Sequence, residues 1–407
     1  MSERAIIIGG GAAGFFAAIA CAEANPEMEV IILEKSKKVL EKVKISGGGR
    51  CNVTHACFEP NELVKHYPRG GKELLGPFNR FMTGDLMEWF GDRGIELKIE
   101  EDNRVFPVSD NSQTIIDCLV EFAERAGVQV KNQFAVENFW LEDDKWHVKT
   151  HNKEVWITDK LMVAAGSGKK IWDILKKNGH KVVPPVPSLF TFNTKDPRIK
   201  GLAGISVPKA EVEIANSDLS SEGPLLITHW GFSGPAILKL SAWGARELND
   251  RAYHFPIMIN WIEDKTYEEV YQIVNEERQV NPRKRVYTNT LFNLPLRLWK
   301  ALLESAGIPD KATWSDLSAA KAKGIAEELT MRIFQVNGKS TFKEEFVTAG
   351  GVDLLDVDFK RFESRKTPGL FIAGEALNID AITGGFNFQA AWTGGWLAGN
   401  AMAGYEV

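Results

Sequence analysis

Cysteine and histidine are scarce in this chain, and basic residues hold no majority. Its 407 residues include 4 cysteines and 7 histidines. Cys21, Cys51, Cys57 and Cys118 form no CxxC pair and no Cys/His ligand cluster, so neither a disulfide scaffold nor a structural zinc site is expected, and no metal. Reduced thiols in a cytoplasmic protein fit this usage. Lys plus Arg is 49 against 54 for Asp plus Glu, a net charge of −5, which counts against a surface that grips nucleic acid throughout. A local basic patch is compatible with that balance. Long apolar runs are missing too. Ala5 to Ala22 is uncharged, but Gly9, Gly10, Gly11 and Gly14 suit neither a signal peptide nor a membrane helix, so export and membrane insertion are not expected. What remains is 44% hydrophobic and 25% charged, the ordinary balance of a folded chain rather than a disordered or fibrous one. Its length corresponds to two or three domains at roughly 150 residues each.

The N-terminus carries the sharpest pattern. Arg4 to Ile8 reads as a buried strand, followed by Gly9-Gly10-Gly11-Ala12-Ala13-Gly14 and an Ala-rich helix from Phe15 to Ala24. A second strand, Val30 to Leu33, ends at Glu34 and Lys35. Strand, GxGxxG, helix, strand and acid is the context in which such glycines bind a dinucleotide. Gly9 turns the chain off the strand, Gly11 lets backbone approach a pyrophosphate, and Gly14 lets the helix pack closely. The helix N-terminus offers N–H groups and partial positive charge to phosphates. Glu34 is placed to accept both ribose hydroxyls. The bland alternative is a glycine turn without function.

The C-terminus favours FAD over NAD. Pro368 to Glu375 is an apolar strand ending in Gly374-Glu375, and Thr383-Gly384-Gly385-Phe386-Asn387-Phe388 leads into a Gly/Ala-rich helix. In FAD enzymes with a split Rossmann domain, such a Gly-acid pair serves the ribityl and phosphate region. The helix that follows points its N-terminus at the flavin edge that gains negative charge on reduction. Lys160 to Ser167, with Ala165-Gly166, resembles the strand and turn that return the chain to the FAD domain. Val136, in the strand-like run Val128 to Phe139, resembles the position where such FAD enzymes touch adenine by backbone.

Gly47-Gly48-Gly49-Arg50-Cys51-Asn52-Val53-Thr54 resembles the GRCNxT signature of the BaiN-type bacterial flavoproteins, a group of NAD(P)/FAD-dependent oxidoreductases and aminoacetone-oxidase-family FAD-binding enzymes. Arg104-Val105-Phe106-Pro107, Thr228 to Pro235, Val347 to Val352 and the run from Pro368 to Gly399 resemble the same family. The resemblance covers the whole chain. It implies an α/β fold with an inserted α+β region: a split, glutathione-reductase-like Rossmann domain for non-covalent FAD, a small β-barrel and a helical subdomain. It also implies cofactor contacts at Gly49, Arg50, Cys51, Asn52, Asp380 and the glycines named above. Departures from the family pattern include His55 for Asn, Asn103 for Gly, Ala165-Gly166-Ser167 for Thr-Gly-Gly, Asn378 for Asp, Ala381 for Gly, and Phe386 and Phe388 for Tyr and Leu.

Along the chain, the FAD domain is expected at 1–186 and 347–407, with Pro184-Pro185-Val186-Pro187 as a rigid exit. Alternating runs such as Ala210 to Ile214 place the β-barrel at 187–265 and 336–346, with Thr341–Phe346 returning to it. Helical patterns at Tyr267–Arg278, Leu294–Ala306 and Lys321–Arg332 place the helical subdomain at 266–335. The insert holds as many acidic as basic residues. Arg283-Lys284-Arg285 reads as a solvated helix end rather than a nucleic-acid contact.

A flavin supplies the hard chemistry, so no catalytic triad is expected. Cys51 is either a proton donor to substrate or a small buried hydrophobe. His229 is either an acid–base group or a turn residue, and Arg104 either binds substrate or braces a junction. A disulfide oxidoreductase is disfavoured: five residues separate Cys51 from Cys57, no histidine follows His254, and no second GxGxxG unit is present. NAD(P)H would therefore visit the flavin transiently. The family resemblance implies reduction of a carbonyl-conjugated C=C bond as the leading reading. An amine-type oxidase, a uridine reductase acting on ribosomal RNA, and a non-catalytic FAD-dependent RNA-binding or assembly factor are the alternatives. The expected partner is a small-molecule or nucleobase substrate; composition gives no sign of ribosomal RNA and none of oligomeric state.

Overall fold

The computed structural model describes residues 3–262, 264–340 and 347–405. The chain divides into two compact units, Met1–Val186 with Val347–Val407, and Pro187–Phe346. The expected return of Thr341–Phe346 to the barrel lies outside the described residues.

In the first unit the apolar runs become a seven-stranded sheet. Its order is Val357–Asp358, Glu363–Ser364, Leu370–Ile372, Lys160–Val163, Arg4–Ile8, Glu29–Glu34, Gln129–Asn132. The last five are parallel to one another, while the first two form an antiparallel edge hairpin. Ile6, Ile7, Ile31, Ile32, Leu161 and Met162 are fully buried, as inner strands of a parallel sheet covered on both faces must be. The first helix spans Ala12–Ala24, three residues earlier than the sequence pattern placed it, because Gly11 rather than Gly14 ends the turn and Gly14 lies in the first helical turn. Ala13 to Ala22 are all buried, so the helix has no polar face. It packs against the C-terminal helix, Phe386–Met402, at backbone distance. A Cβ on Gly395 would come within 2.6 Å of the Ala13 carbonyl, and one on Gly399 within 2.4 Å of that of Ala17.

Two further expectations change. The run Val128 to Phe139 is two strands: Gln129–Asn132 joins the parallel sheet, and Val136–Glu142 starts an antiparallel meander with Lys145–Thr150 and Val155–Thr158. Gln133, at φ 63°, kinks the chain between them. The proline exit is itself a strand, Val182–Ser188, in a two-stranded sheet with Val347–Val352. With a single neighbour, the missing proline donors leave no central ladder broken.

The second unit holds a seven-stranded antiparallel sheet, ordered Arg332–Asn337, His254–Asn260, Ser206–Ile214, Ser220–Ile227, Gly231–Ser233, Thr191–Asn193, Lys339–Ser340. Its two terminal strands are consecutive in the chain. Helices Tyr267–Val280, Leu296–Ser305 and Ala319–Thr330 complete a core that includes Phe232, Phe334, Trp261, Trp299 and Trp314. The last helix runs two residues earlier than its pattern. The Ser318 hydroxyl caps it by accepting from the Lys321 N–H at 3.2 Å, and Arg332 opens a strand instead. No described helix is long and apolar enough to cross a membrane.

Candidate functional site

The site is built where the strand ends of the parallel sheet meet the two buried helices. Gly9, at φ 111°, donates its N–H to the Leu33 carbonyl at 2.9 Å and turns the chain at the tip of the sheet. A Cβ on Gly14 would fall 2.0 Å from the Gly9 carbonyl oxygen, whereas one on Gly11 would meet nothing within 4 Å. Gly14 is therefore a packing glycine, and Gly11 faces open space at an N-terminus that no side chain caps. Open space, unused donors and the positive end of a helix dipole suit a pyrophosphate. Glu34 is anchored: its two oxygens accept from the Gly10 N–H at 2.8 Å and the Ser36 N–H at 2.7 Å. Each oxygen keeps a further lone pair for a ribose hydroxyl. Lys35 beside it is exposed. Beside Glu34 runs the chain leading to buried Val136, where the Phe134 N–H donates to the Glu34 carbonyl at 2.8 Å.

The opposite wall comes from the other end of the sequence. Gly374, at φ 68°, would set a Cβ 3.3 Å from Ala13, and a Cβ on Gly166 would lie 3.7 Å from Glu375. Ala165 lies against Gly9, whose Cβ would come within 2.8 Å of the Ala165 Cα. Three glycine turns distant in sequence thus converge around the first helix N-terminus. Glu375 ion-pairs with Lys42, a residue that no motif had singled out.

The third wall is the segment Gly47 to Thr54. Gly47, Gly48 and Gly49 are all left-handed, and Gly48 and Gly49 face open space. Asn52, its amide oriented to satisfy its neighbours, accepts the Gly385 N–H at 3.0 Å and donates to the Thr54 carbonyl at 2.9 Å. It thereby fixes the start of the C-terminal helix. Gly385 is required there, since a Cβ would sit 2.5 Å from the Thr54 carbonyl oxygen. Around it, Trp392 Nε1 donates to the Val53 carbonyl at 3.0 Å and Thr54 Oγ1 to Gln389 at 2.6 Å. Asn387 clasps both backbone groups of Ala381, and Phe388 stacks on Trp392 with ring centres 5.5 Å apart. Phe386 is covered by His66 at 4.2 Å and His55 at 4.5 Å, and a Cβ on Gly384 would touch its ring at 3.0 Å. The Tyr67 hydroxyl, which burial holds well above its ordinary pKa, donates to the Phe386 carbonyl at 2.6 Å. Asp380 is fully buried in a two-pronged ion pair with Arg69. Sequence reasoning missed Lys42, Arg69, His66 and Tyr67, because none belongs to a glycine motif.

A profile of the HI0933-like protein Rossmann domain matches residues 3–401. The chain belongs to the HI0933-like family. Ribosomal RNA dihydrouridine synthase of Escherichia coli is 30% identical over 404 residues, covering 96% of each chain. The 3-dehydro-bile acid delta(4,6)-reductase of Clostridium scindens is 25% identical, covering 98% of this chain and 99% of that one. Among solved structures, 3-ketosteroid-delta4-(5alpha)-dehydrogenase from Rhodococcus jostii shares the fold, with a TM-score of 0.53 at 14% identity over 98% of this chain and 97% of that one. As a family member with this cradle, the protein is an FAD-dependent oxidoreductase.

The remaining candidates lie elsewhere or are engaged. Arg50 stacks over Phe106 at 3.9 Å and is paired with Glu100 at 2.6 Å and Asp110 at 3.3 Å. The hydrogen bond that Arg50 donates to Glu100, first among several causes, holds its guanidinium above its ordinary pKa. Arg104 shares the same ring at 5.3 Å and pairs with Asp102 at 2.7 Å. Both arginines thus sit in one acidic, aromatic cluster on the antiparallel strands Thr54–His55, Arg104–Pro107 and Leu97–Ile99. Cys51 is fully buried at φ 62°, and burial pushes its thiol up to about 12. His229 belongs to the second unit, exposed in a turn whose Thr228 hydroxyl accepts the Trp230 and Gly231 N–H groups, each at 3.2 Å.

Proposed function

We propose that this protein reduces a carbon–carbon double bond conjugated to a carbonyl, with NAD(P)H as electron donor. The supporting observation is full-length similarity to relatives whose two names describe the same reaction. Making dihydrouridine saturates a uracil C=C that is conjugated to a ring carbonyl, and a delta(4,6)-reductase of a 3-oxo acid saturates C=C bonds conjugated to a ketone. FAD, when bound, supplies hydride transfer. The chain's part is to position and polarise. The glycine turns would hold the phosphates and Glu34 the ribose, and the N–H groups and dipole of the C-terminal helix would stabilise the charge that the flavin gains on reduction. Cys51 presents no thiolate at neutral pH, given a thiol that burial pushes up to about 12. His229 is exposed to water, with which an acid that protonates the substrate carbon must exchange.

A specific observation favours uridine in RNA as substrate. Relatives named ribosomal RNA dihydrouridine synthase, from Escherichia coli and Haemophilus influenzae, are 30% and 27% identical over 96% and 95% of this chain. The test is anaerobic stopped-flow mixing of holoprotein with NADH or NADPH, followed by an enone or uridine-containing RNA as reoxidant. Rapid bleaching, with reoxidation that adds two hydrogens to the acceptor, is expected. No bleaching by either nucleotide would overturn the reductase reading in favour of an amine-type oxidase.

A further inference from the structure

On the first unit, a groove of about 850 Å³ opens beside the far end of the C-terminal helix, where it reaches Leu397, Ala401 and Tyr405. Four cations line it: Arg80, Lys360, Arg361 and Arg365, against two carboxylates, Glu73 and Asp358. That local surplus runs against the whole chain, in which acids outnumber bases 54 to 49. The cations are also incompletely paired. Arg361 is committed to Glu363 at 3.0 Å, but Arg365 reaches Asp358 only at 3.6 Å. Arg80 and Lys360 make no ion pair among the described residues; Arg80 donates one Nη to the Lys360 carbonyl at 2.6 Å and keeps its other donors. The carrier is ordered. Lys360 and Arg361 cap the edge hairpin Val357–Asp358 and Glu363–Ser364, where Asp358 Oδ1 accepts the Lys360 N–H at 3.1 Å. Two aromatics share the groove, Phe359 and Tyr405, and the Tyr405 side is 62% exposed.

We propose that this groove holds the sugar–phosphate backbone of single-stranded RNA, with Tyr405 offering a face for a base. The inference rests on the reading that the reducible base is a uracil in RNA. Cations spread along an open groove with aromatics between them match a polyanion that carries flat rings, rather than one small anion. The site is separate from the cofactor cradle. The 17-residue C-terminal helix has its N-terminus at the cradle and its other end at the groove, about 25 Å away. That span corresponds to roughly seven nucleotides of stacked strand. The groove would anchor the strand while the target base sits elsewhere.

The test uses the full-length holoprotein and a fluorescein-labelled, uridine-containing single-stranded RNA, read by anisotropy between about 50 and 200 mM salt. The double variant Lys360→Glu with Arg365→Glu changes two exposed side chains, and flavin content and melting temperature check its fold. The expected result is at least about a tenfold loss of RNA affinity and, for a neutral Lys360→Gln with Arg365→Gln pair, a salt slope shallower by about 1.4. Flavin bleaching by NAD(P)H should be unchanged. If the variants bind RNA as the wild type does, the groove is the wrong surface while the uracil reading stands. If the wild type neither binds nor reduces RNA, both fall. Inorganic phosphate competing as well as RNA at equal phosphate concentration would reduce the groove to a simple anion site and overturn the proposal.

Discussion

Gly11 and Gly14 are both glycines of one motif, yet they do different work. A Cβ on Gly14 would collide with the Gly9 carbonyl at 2.0 Å, so Gly14→Ala is expected to destabilise the fold itself by ~3 kcal/mol or more. A Cβ on Gly11 meets nothing, so Gly11→Ala should leave the apoprotein's melting temperature near that of the wild type. It should weaken FAD by about tenfold or more, because the new methyl occupies the phosphate's space. Thermal melts of apoprotein and flavin titration separate the two; equal effects would mean that the motif acts only in packing. Cys51 makes a second residue-scale case. Its burial predicts that Cys51→Ser keeps turnover within about threefold and that the native thiol resists alkylation. Fast labelling with loss of activity would contradict this. The turn at Gly9 and the close packing at Gly14 were legible in sequence because GxGxxG spacing carries them. That Asn52 spends its amide on the Gly385 N–H was not, since 333 positions of chain separate the partners.

Among elements, the segment before the C-terminal helix depends on the Arg69–Asp380 pair. Asp380 is fully buried, so Asp380→Asn would leave the mostly buried Arg69 charge without its carboxylate. A loss of ~3 kcal/mol or more is expected in denaturant unfolding, together with weaker flavin retention. A second junction carries a pH signature. His180 is buried with Nδ1 at 3.2 Å from the Leu175 carbonyl and Nε2 at 2.8 Å from Ser364 Oγ. That hydroxyl already accepts the Lys366 and Thr367 N–H groups, so its proton goes to Nε2, and the imidazole must be neutral. Burial lowers its pKa from 6.5, so the unfolded chain takes up a proton more readily than the native one. Its contribution to stability is therefore complete above about pH 6.5 and lost as pH falls through the lowered native value. Melting temperatures should drop from neutral to mildly acidic pH in the wild type, and less steeply in His180→Asn. Element types were legible because hydrophobic period marks them. Their ends were not: Gln133 and Arg332 leave their expected elements for reasons of φ and strand pairing that periodicity does not encode.

At the scale of the whole molecule, residues 187–346 enclose a core of their own, with Phe232, Phe334, Trp261 and Trp299 buried in it. Expressed alone, this unit is expected to melt cooperatively and to remain colourless with added FAD, because the glycine turns, Glu34 and Glu375 all belong to the other unit. A non-cooperative melt, or flavin bound by the fragment, would contradict that division.

The sequence by itself determined the cofactor, the family and the strands and helices of the two glycine motifs. These are carried by local patterns: glycines where backbone must turn or touch phosphate, apolar runs where strands are covered on both faces, and an acid at a strand end. Tertiary structure alone decided which charged groups meet. Lys42 with Glu375, Arg69 with Asp380, and Arg50 with Glu100 are pairs of residues 50 to 333 positions apart. A side chain's partner depends on where strands and loops converge in space, and no spacing along the chain records it.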